Sequence, residues 1–285
     1  MRPIVMMLCC AALGTPGCGG TTAPDDSSTD STGDSDTDVD TGFVTVPAST
    51  FDMGCTSGES DCCDDEPIHT VTLSHDYLVS AIEVTQSQFK TRMTYNPASF
   101  ADCGDTCPVE RVKWAEAAAY ANALSDAEGY GDCYSCTGTG PEAVCALAGD
   151  PYACDGYRLL TEAEWEGAAR CGQDQLYAGS NAASDVAWTM ENAADMPHAV
   201  AGLRKNRCGL YDMSGNVLEW TGDAYSTLTP DPATDPAFDA VGSYRVVRGG
   251  AWSMEATDAR VSNRGADNPD FSTNAVGFRL ARSMP

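Results

Sequence analysis

The sequence predicts an α+β fold with little regular secondary structure, long loops and several disulfide bonds. Short runs in which every second residue is apolar indicate strands, and capped apolar stretches of helical period indicate helices. The 285 residues also include 27 glycines and 14 cysteines. So much irregular chain needs disulfides or bound ions to hold it in place.

The first 18 residues have the features of an export signal. Met1 and Arg2 provide a positive start, and residues 4–13 form an apolar run too short to span a bilayer. Gly17 precedes Cys18 as a small residue precedes the lipidated cysteine of bacterial lipoproteins. Cys18 is therefore the predicted lipid anchor of a protein exported to the bacterial cell envelope or secreted, and ordinary signal cleavage nearby is the alternative.

Residues 19–42 are predicted to be a disordered acidic linker. They contain seven Asp, many Ser and Thr, and Val39 as the one large apolar residue, so burial cannot offset the entropy of ordering. The remaining residues, 43–285, are long enough for one core and show no second linker, which predicts one domain. A net charge of −26 with 16 Lys and Arg argues against nucleic acid as a partner.

The N-terminal half of this domain predicts strands followed by two helices. Residues 43–54 alternate and end at a glycine, and residues 69–84 place Val71, Leu73, Tyr77 and Val79 at even spacing. A helix is predicted after Thr85, because Gln88 completes a capping box. The next helix is predicted to end before a glycine, with one apolar face formed by Trp114, Ala118, Ala121 and Leu124.

The C-terminal half predicts one more helix and several short strands. Thr161 and Glu164 form a second capping box, and Leu160 can pack on Trp165 as a hydrophobic staple. Residues 244–252 indicate a buried strand that ends at two glycines, and residues 276–282 indicate a final strand.

Eleven cysteines remain after the signal and the lipidated residue are set aside. They are Cys55, Cys62, Cys63, Cys103, Cys107, Cys133, Cys136, Cys145, Cys154, Cys171 and Cys208. The odd number leaves one cysteine free or bonded to another chain. Cys133 and Cys136 form a CxxC pair, but no second pair or nearby histidine completes a zinc site. Disulfides that close the loop from Cys133 to Cys154 are therefore expected.

Several motifs occur together in an order that resembles one family. They are FDMG, EPIHTVTL, EVTQSQF, PVERVKWAEAAAYANALS, YRLLTEAEWEGAAR, GLYDMSGNVLEW, VVRGGAW, NR and VGFR, and they cover residues 43–283. Together they resemble the formylglycine-generating enzyme, or sulfatase-modifying factor, domain. The resemblance implies a C-type lectin-like fold with structural calcium. It also implies, for the true enzymes, a copper-dependent oxidase that uses oxygen to convert a cysteine of a sulfatase into formylglycine.

The chain departs from this family where the oxidase binds copper. The family's two catalytic cysteines lie six and eleven residues after the Arg of the RGG motif, and counting from Arg248 gives Met254 and Ala259. The usual Ser after RGG is Ala251, and a usual Trp is Leu218. Because Cu(I) prefers thiolates and one thioether does not make a site, copper and oxidase activity are not expected.

The resemblance also assigns calcium ligands. Asp212, Gly215, Val217 and Glu219 match the family's ligands position by position, and carboxylate and carbonyl oxygens suit Ca²⁺. The alternative is that Asp212 and Glu219 are solvated or capping residues. A second calcium site is expected between residues 181 and 195, without named ligands.

Three further residues are candidates for a ligand groove. Arg248 and Arg264 occupy family positions and can either bind an acidic or peptide ligand or pair internally with acidic residues. Trp252 can pack in the core or stack on a ligand. Arg279 is expected to be structural. The three histidines, His69, His75 and His198, lack the spacing of the iron-binding branch of the superfamily and are expected to be ordinary strand-edge or loop residues.

Three functions remain open from the sequence. The first is a lipid-anchored, exported binding or scaffold module without oxidase chemistry, whose ligand is a protein, peptide or glycan. The second is a divergent oxidase or a maturation factor for an exported protein. The third is a structural protein of the cell envelope.

Overall fold

The computed structural model describes residues 42–57, 59, 62, 64–239 and 244–284. The export signal, Cys18 and the linker up to residue 41 lie outside the described residues, as does Cys63. None of the described helices combines the length and the apolar character that crossing a membrane requires.

The described residues form three α-helices and fifteen short strands. The helices are α1 (Gln86–Met93), α2 (Trp114–Glu128) and α3 (Glu162–Arg170). The first eight strands are β1 (Phe43–Val46), β2 (Ser49–Met53), β3 (His69–Leu73), β4 (Tyr77–Ser80), β5 (Tyr134–Thr137), β6 (Val144–Leu147), β7 (Tyr157–Arg158) and β8 (Ala187–Trp188). The others are β9 (Ser214–Gly215), β10 (Leu218–Ala224), β11 (Ala233–Thr234), β12 (Arg245–Arg248), β13 (Arg264–Asp267), β14 (Val276–Gly277) and β15 (Ala281–Ser283).

Within the described chain these strands make small sheets rather than one large one. Two sheets have four strands, in the orders β1-β4-β15-β7 and β13-β12-β10-β14, and a third has the order β11-β3-β2. Two further pairs are β5-β6 and β8-β9. The mixture of helices, short strands and long loops confirms the predicted α+β fold class.

Two strands predicted as continuous are each split between sheets. Residues 43–54 divide at Pro47 into β1, which pairs with β4, and β2, which pairs with β3. Proline lacks the N–H that a continuous ladder needs at that point. The final predicted strand likewise divides into β14, which pairs with β10, and β15, which pairs with β4 and β7.

The predicted helix signals are confirmed. In α1 the Thr85 hydroxyl accepts from the Gln88 N–H at 3.2 Å, and the Thr85 N–H donates to the Gln88 side chain at 2.9 Å. Helix α2 ends at Gly129, whose φ of +82° is readily adopted by glycine. Trp114, Ala118 and Ala121 are buried as predicted, and they pack in one core.

Two of the four apolar clusters in the described residues are large and support the sheets. The first packs α2 against the strands around Trp220 and Phe278. The second surrounds Trp165 of α3 and includes Leu160, the residue predicted to staple this helix. Helix α3 therefore lies at the centre of the second core, and each of its nine residues is buried.

Burial of α3 places three glutamates of this helix inside the protein. Glu162 binds the Arg264 guanidinium through Nε at 2.6 Å and Nη2 at 2.8 Å. Glu164 pairs with Arg158 at 2.6 Å, and this arginine outweighs burial and lowers the Glu164 pKa to about 2. A buried carboxylate needs such partners because an unpaired charge is expensive in the interior.

Arg248 completes this network at the third glutamate of α3. Its Nη2 donates to Glu166 at 2.5 Å and to the Val261 carbonyl at 2.7 Å, and its Nη1 lies 3.4 Å from Glu162. The guanidinium carbon also lies 5.0 Å from the centre of the Trp165 ring. Arg248 thus links α3 to β12 and to the chain that follows the RGG motif.

Five disulfides connect the described loops. They are Cys55–Cys62, Cys103–Cys107, Cys133–Cys154, Cys136–Cys145 and Cys171–Cys208. The CxxC cysteines therefore belong to two nested disulfides, which confirms the predicted closure of the loop from Cys133 to Cys154. Every cysteine in the described part of the chain is paired.

Substitution of Arg248 by Ala is expected to lower the free energy of unfolding by about 3–5 kcal/mol, because it leaves buried carboxylate and carbonyl oxygens without their donor. Urea unfolding measures this loss. The control is R204A, since Arg204 forms an exposed ion pair with Asp185 at 3.4 Å and should contribute at most about 1 kcal/mol. Equal losses for both variants would show that the α3 network is not a major source of stability.

Candidate functional site

The RGG segment follows β12 and makes a tight approach to residues further along the chain. Gly249 and Gly250 have φ of +93° and +71°. A Cβ on Gly250 would lie 2.8 Å from the Ala259 Cα, so another side chain at position 250 would collide with backbone. Steric packing therefore explains why glycine is needed at position 250, independently of any catalytic role of the motif.

Met254 and Ala259, at the positions that the resemblance assigns to the family's catalytic cysteines, are both buried. Met254 is 8% exposed and packs in the first core, whereas Ala259 is fully buried beside Tyr177 and Val186. One thioether and one methyl group do not provide the paired thiolates that Cu(I) prefers. Because all described cysteines are in disulfides, none of them supplies a replacement thiolate. The residues present do not fit the copper site of the family's enzymes.

Of the alternatives left open for Arg248, Trp252 and Arg264, their positions agree with internal pairing and core packing rather than with an open groove. Arg248 is fully buried and Arg264 is 6% exposed, with both guanidinium groups bound to α3 glutamates. Trp252 packs on Phe100 with ring centres 5.2 Å apart, and its Nε1 donates to the Asn274 carbonyl at 3.0 Å. Acidic residues outnumber basic ones in this chain, and each of these two arginines pairs with an internal carboxylate.

The residues matched to calcium ligands lie in and just before β9 and β10. Asp212 is 4% exposed and accepts from the Ala201 N–H at 2.7 Å. Glu219 is 1% exposed and accepts from Arg279 Nε and Trp165 Nε1 at 2.8 and 2.7 Å. Arg279 is thus internal, in the role expected for it.

Glu83, which the sequence patterns did not single out, belongs to the same cluster. Its carboxylate accepts from the Asn216 side chain at 2.7 Å and from the Val217 N–H at 3.1 Å. Burial raises the pKa of Glu83, and the charges of Asp212 and Glu219 raise it further.

The pKa of Asp212 is raised for the same reasons. Its pKa is raised to about 6, first by burial and then by Glu219. Three buried carboxyls, Glu83, Asp212 and Glu219, thus share the positive charge of Arg279. Buried negative charge of this kind suits a divalent cation held by oxygen ligands, but the three carboxyls do not bring their oxygens together within 4.8 Å as a group.

Other metal sites gain no such support within the described residues. One group of three ligating residues comes together, Cys55, Glu59 and Cys62, but its two cysteines form a disulfide. Between residues 181 and 195, Asp185 pairs with Arg204, and no second calcium ligand set is evident in this described stretch.

The three histidines lie at separate places. His198 stacks on Trp188 with ring centres 3.9 Å apart, and His75 lies 3.4 Å from Asp235 and 3.5 Å from Glu164. His69 binds the Pro67 carbonyl at 2.9 Å.

Two cavities, which the sequence did not indicate, meet at Asp223 and Phe238. The larger has a volume of about 420 Å³ and extends towards Tyr134 and Tyr152. The smaller, of about 170 Å³, extends towards His69. Neither is lined by Met254, Ala259 or the RGG motif, so the open space lies apart from the segment that matches the family's catalytic positions.

Asp223, shared by both cavities, is held at the start of α3. Its two carboxylate oxygens accept from the Glu162 and Phe238 N–H groups, each at 2.6 Å. Burial raises its pKa to about 7, and the charges of Glu162 and Glu164 act in the same direction. The sequence could have suggested a polar residue at the end of β10 but not the cavity around it.

Glu110 is a buried carboxyl with one oxygen that has no hydrogen-bond partner. Its Oε1 accepts from the Phe100 N–H at 2.7 Å, whereas its buried Oε2 has none. Burial raises the pKa of Glu110 to about 7. A carboxyl whose pKa is higher in the folded state stabilises the protein most below pH 4.5, and this contribution is lost as the pH rises through 7.

The variant E110Q should therefore gain stability relative to wild type as the pH rises from 4.5 to 8. The amide keeps the Phe100 hydrogen bond and carries no charge. The relative gain is expected to be on the order of 2–3 kcal/mol, since a tenfold change in proton affinity corresponds to about 1.4 kcal/mol.

Urea unfolding at pH 4.5, 6 and 8 tests this expectation. E142Q is the control, because Glu142 is exposed and should give a difference from wild type that is independent of pH. Parallel pH profiles for wild type and E110Q would show that burial does not raise the pKa of Glu110 above its value in the unfolded chain.

Comparisons with known proteins agree with this architecture. The family model described as Sulfatase-modifying factor enzyme 1-like domain matches residues 29–284. The chain is 32% identical over 242 residues to Chaperone protein LppX of Paenibacillus barcinonensis, which covers 75% of this chain and 82% of that protein. The solved structure of Treponema denticola variable protein 1 is 31% identical with a TM-score of 0.74, covering 85% of this chain and 95% of that one.

A relative that is named as an enzyme is similar over a shorter stretch. The Formylglycine-generating enzyme of Streptomyces coelicolor is 35% identical over 147 residues, which is 44% of this chain and 46% of that enzyme. The chain therefore aligns with less than half of that enzyme's length, whereas the family model covers all of the described residues. The chain belongs to the sulfatase-modifying factor enzyme 1-like family, the family of the formylglycine-generating enzyme.

Proposed function

We propose that this protein is a non-oxidase member of its family that acts outside the cytoplasm as a binding module. One observation carries the proposal: Met254 and Ala259 occupy the positions of the copper-binding cysteines, and the described cysteines are all in disulfides. The fold around the RGG motif is retained, whereas the thiolates needed for Cu(I) are not.

Export and membrane attachment are part of this proposal. Five disulfides in the described residues suit an oxidising compartment. Cys18, after the short apolar run, is the residue proposed to carry the lipid anchor. The acidic segment that follows would separate the domain from the membrane.

The ligand is proposed to be a polypeptide. The relative from Paenibacillus barcinonensis carries the name of a chaperone protein and is similar over 75% of this chain. That name favours a maturation factor for an exported protein, acting through binding rather than oxidation, over a glycan-binding or purely structural protein.

Calcium is proposed as a structural ion held by Asp212, Glu219 and the carbonyls of Gly215 and Val217. Glu83, which binds the N–H of Val217, would help to shape the loop that carries these ligands. Supporting this assignment is the excess negative charge of the buried carboxyls around Arg279.

The purified, Cu(I)-loaded protein is expected to produce no formylglycine from a Cys-x-Pro-x-Arg peptide, because paired thiolates are absent from positions 254 and 259. Mass spectrometry of the peptide after incubation with oxygen measures the product. An active family member assayed in parallel is the positive control. Formylglycine formation by this chain would overturn the non-oxidase assignment.

Calcium at about 100 times its Kd is expected to stabilise the protein by about 2.7 kcal/mol. The shift in thermal unfolding between calcium and a chelator measures this effect. D212N should lose most of it, whereas D126N should keep it, because Asp126 is an exposed residue on α2. A shift that D212N does not reduce would place the ion elsewhere.

A further inference from the structure

The larger cavity beside α3 combines acidic and aromatic side chains. We propose that it binds the cationic side chain of a Lys or Arg carried by an extended polypeptide partner. This inference rests on the proposed binding function and assigns it a place and a ligand chemistry.

The lining of the cavity carries negative charge. Asp150, Asp223, Asp235 and Asp239 line it, and no Lys, Arg or His is among the described residues that do so. Acidic residues alone do not define a site, since solvent and small ions can screen them. What distinguishes this cavity is the state of one of these carboxylates.

Asp223 is a buried carboxylate that forms no ion pair with Lys, Arg or His of the described part of the chain. It is 2% exposed, and both of its hydrogen bonds come from backbone N–H groups. By contrast, Asp239 pairs with Arg245 at 2.9 Å, and Asp235 lies 3.4 Å from His75. Each oxygen of the ionised Asp223 carboxylate can accept one more hydrogen bond, so an entering ammonium or guanidinium would find an acceptor there.

Three aromatic residues, Tyr134, Tyr152 and Phe238, line the cavity with this carboxylate. Tyr134 is 2% exposed and the Tyr152 ring already has the Arg158 guanidinium 5.6 Å from its centre, so Phe238, which is 43% exposed, offers its ring to an entering cation. A cation near an aromatic face gains about 0.5–2 kcal/mol. The aliphatic stem of a Lys or Arg can at the same time cover the apolar ring surface.

Size and geometry favour an organic cation over a metal ion. The volume of about 420 Å³ lies within the range of small-ligand pockets, about 300–1,000 Å³. Within the described residues, the ligating atoms of these aspartates do not come together as a group within 4.8 Å of one another. The carboxylates are therefore spread around a space that suits a side chain.

The surroundings of the cavity favour a polypeptide over a free amine. The carbonyls of Phe238 and Tyr244 accept from the N–H groups of Ala224 and Tyr225, so both residues flank the end of β10. The Phe238 side chain, which lines the cavity and is 43% exposed, offers apolar surface to a residue next to the cation. The net charge of −26 would steer a basic partner towards this protein.

Titration calorimetry of the full-length protein with two matched peptides tests this inference. The probes are acetyl-Ala-Phe-Lys-Phe-Ala-amide and its twin with norleucine in place of lysine, which keeps the stem and removes the charge. The lysine peptide is expected to bind about 10-fold more tightly than its twin, a difference of about 1.4 kcal/mol.

Three variants locate the binding. D223N is expected to weaken the lysine peptide about 10-fold, and F238A about 3-fold, in line with loss of a charged hydrogen bond and of a cation–aromatic contact. D126N makes the same change of charge on exposed α2 surface and should alter binding less than about 2-fold. If D223N does not fold, F238A becomes the deciding variant, because the Phe238 side chain is partly exposed. Weaker binding of the lysine peptide by F238A supports the cavity as the binding site, and unchanged binding overturns it.

Several results would overturn the inference. These are equal affinity for both peptides, equal effects of D223N and D126N, and equally tight binding of free acetyl-lysine amide, which would indicate a small amine. Failure of the proposed function looks different, because it appears as formylglycine production. A peptide array in which this protein binds ligands regardless of D223N and F238A would leave the binding function standing and exclude this cavity.

Discussion

The structure depends on neutralising the charges of one buried helix. Helix α3 places Glu162, Glu164 and Glu166 in the interior, each with an arginine partner. Two of those partners, Arg248 and Arg264, come from β12 and β13, so the ion pairs connect distant parts of the chain. A core with this many carboxylates tolerates little rearrangement, because displacing one arginine leaves a charge unpaired. The network thus fixes the position of the chain from residue 248 to residue 264.

This constraint gives the RGG segment a structural role that does not depend on catalysis. Arg248 is held by two glutamates, and Gly250 lies against the Ala259 backbone. These contacts serve folding and would be needed whatever occupies positions 254 and 259. The catalytic positions can therefore change to residues that pack, as Met254 and Ala259 do, without altering the surrounding frame.

Local signals in the sequence predicted local structure well. The capping boxes at Thr85 and Thr161 and the glycine after α2 gave the helices, and the alternating apolar residues gave β3 and β4. Strand continuity was predicted less well, since the split at Pro47 depends on which sheet each half joins. Side-chain exposure was hardest, because Arg248 and Arg264 look like ligand-binding residues until their glutamate partners are placed in space.

The sequence likewise could not predict the cavity beside Asp223, because its lining residues are far apart in the chain. Asp223 and Phe238 lie fifteen residues apart, and neither belongs to a motif that indicates binding. Their meeting depends on the Phe238 N–H reaching the Asp223 carboxylate beside the first residue of α3. The three glutamates of that helix pair with arginines of the same protein. Asp223, at the N-terminal end of the helix, accepts hydrogen bonds from backbone N–H groups and pairs with no cationic side chain in the described part of the chain. Helix α3 thereby leaves Asp223 facing a cavity without an ion-pair partner among the described residues, at the place proposed for a partner's cation.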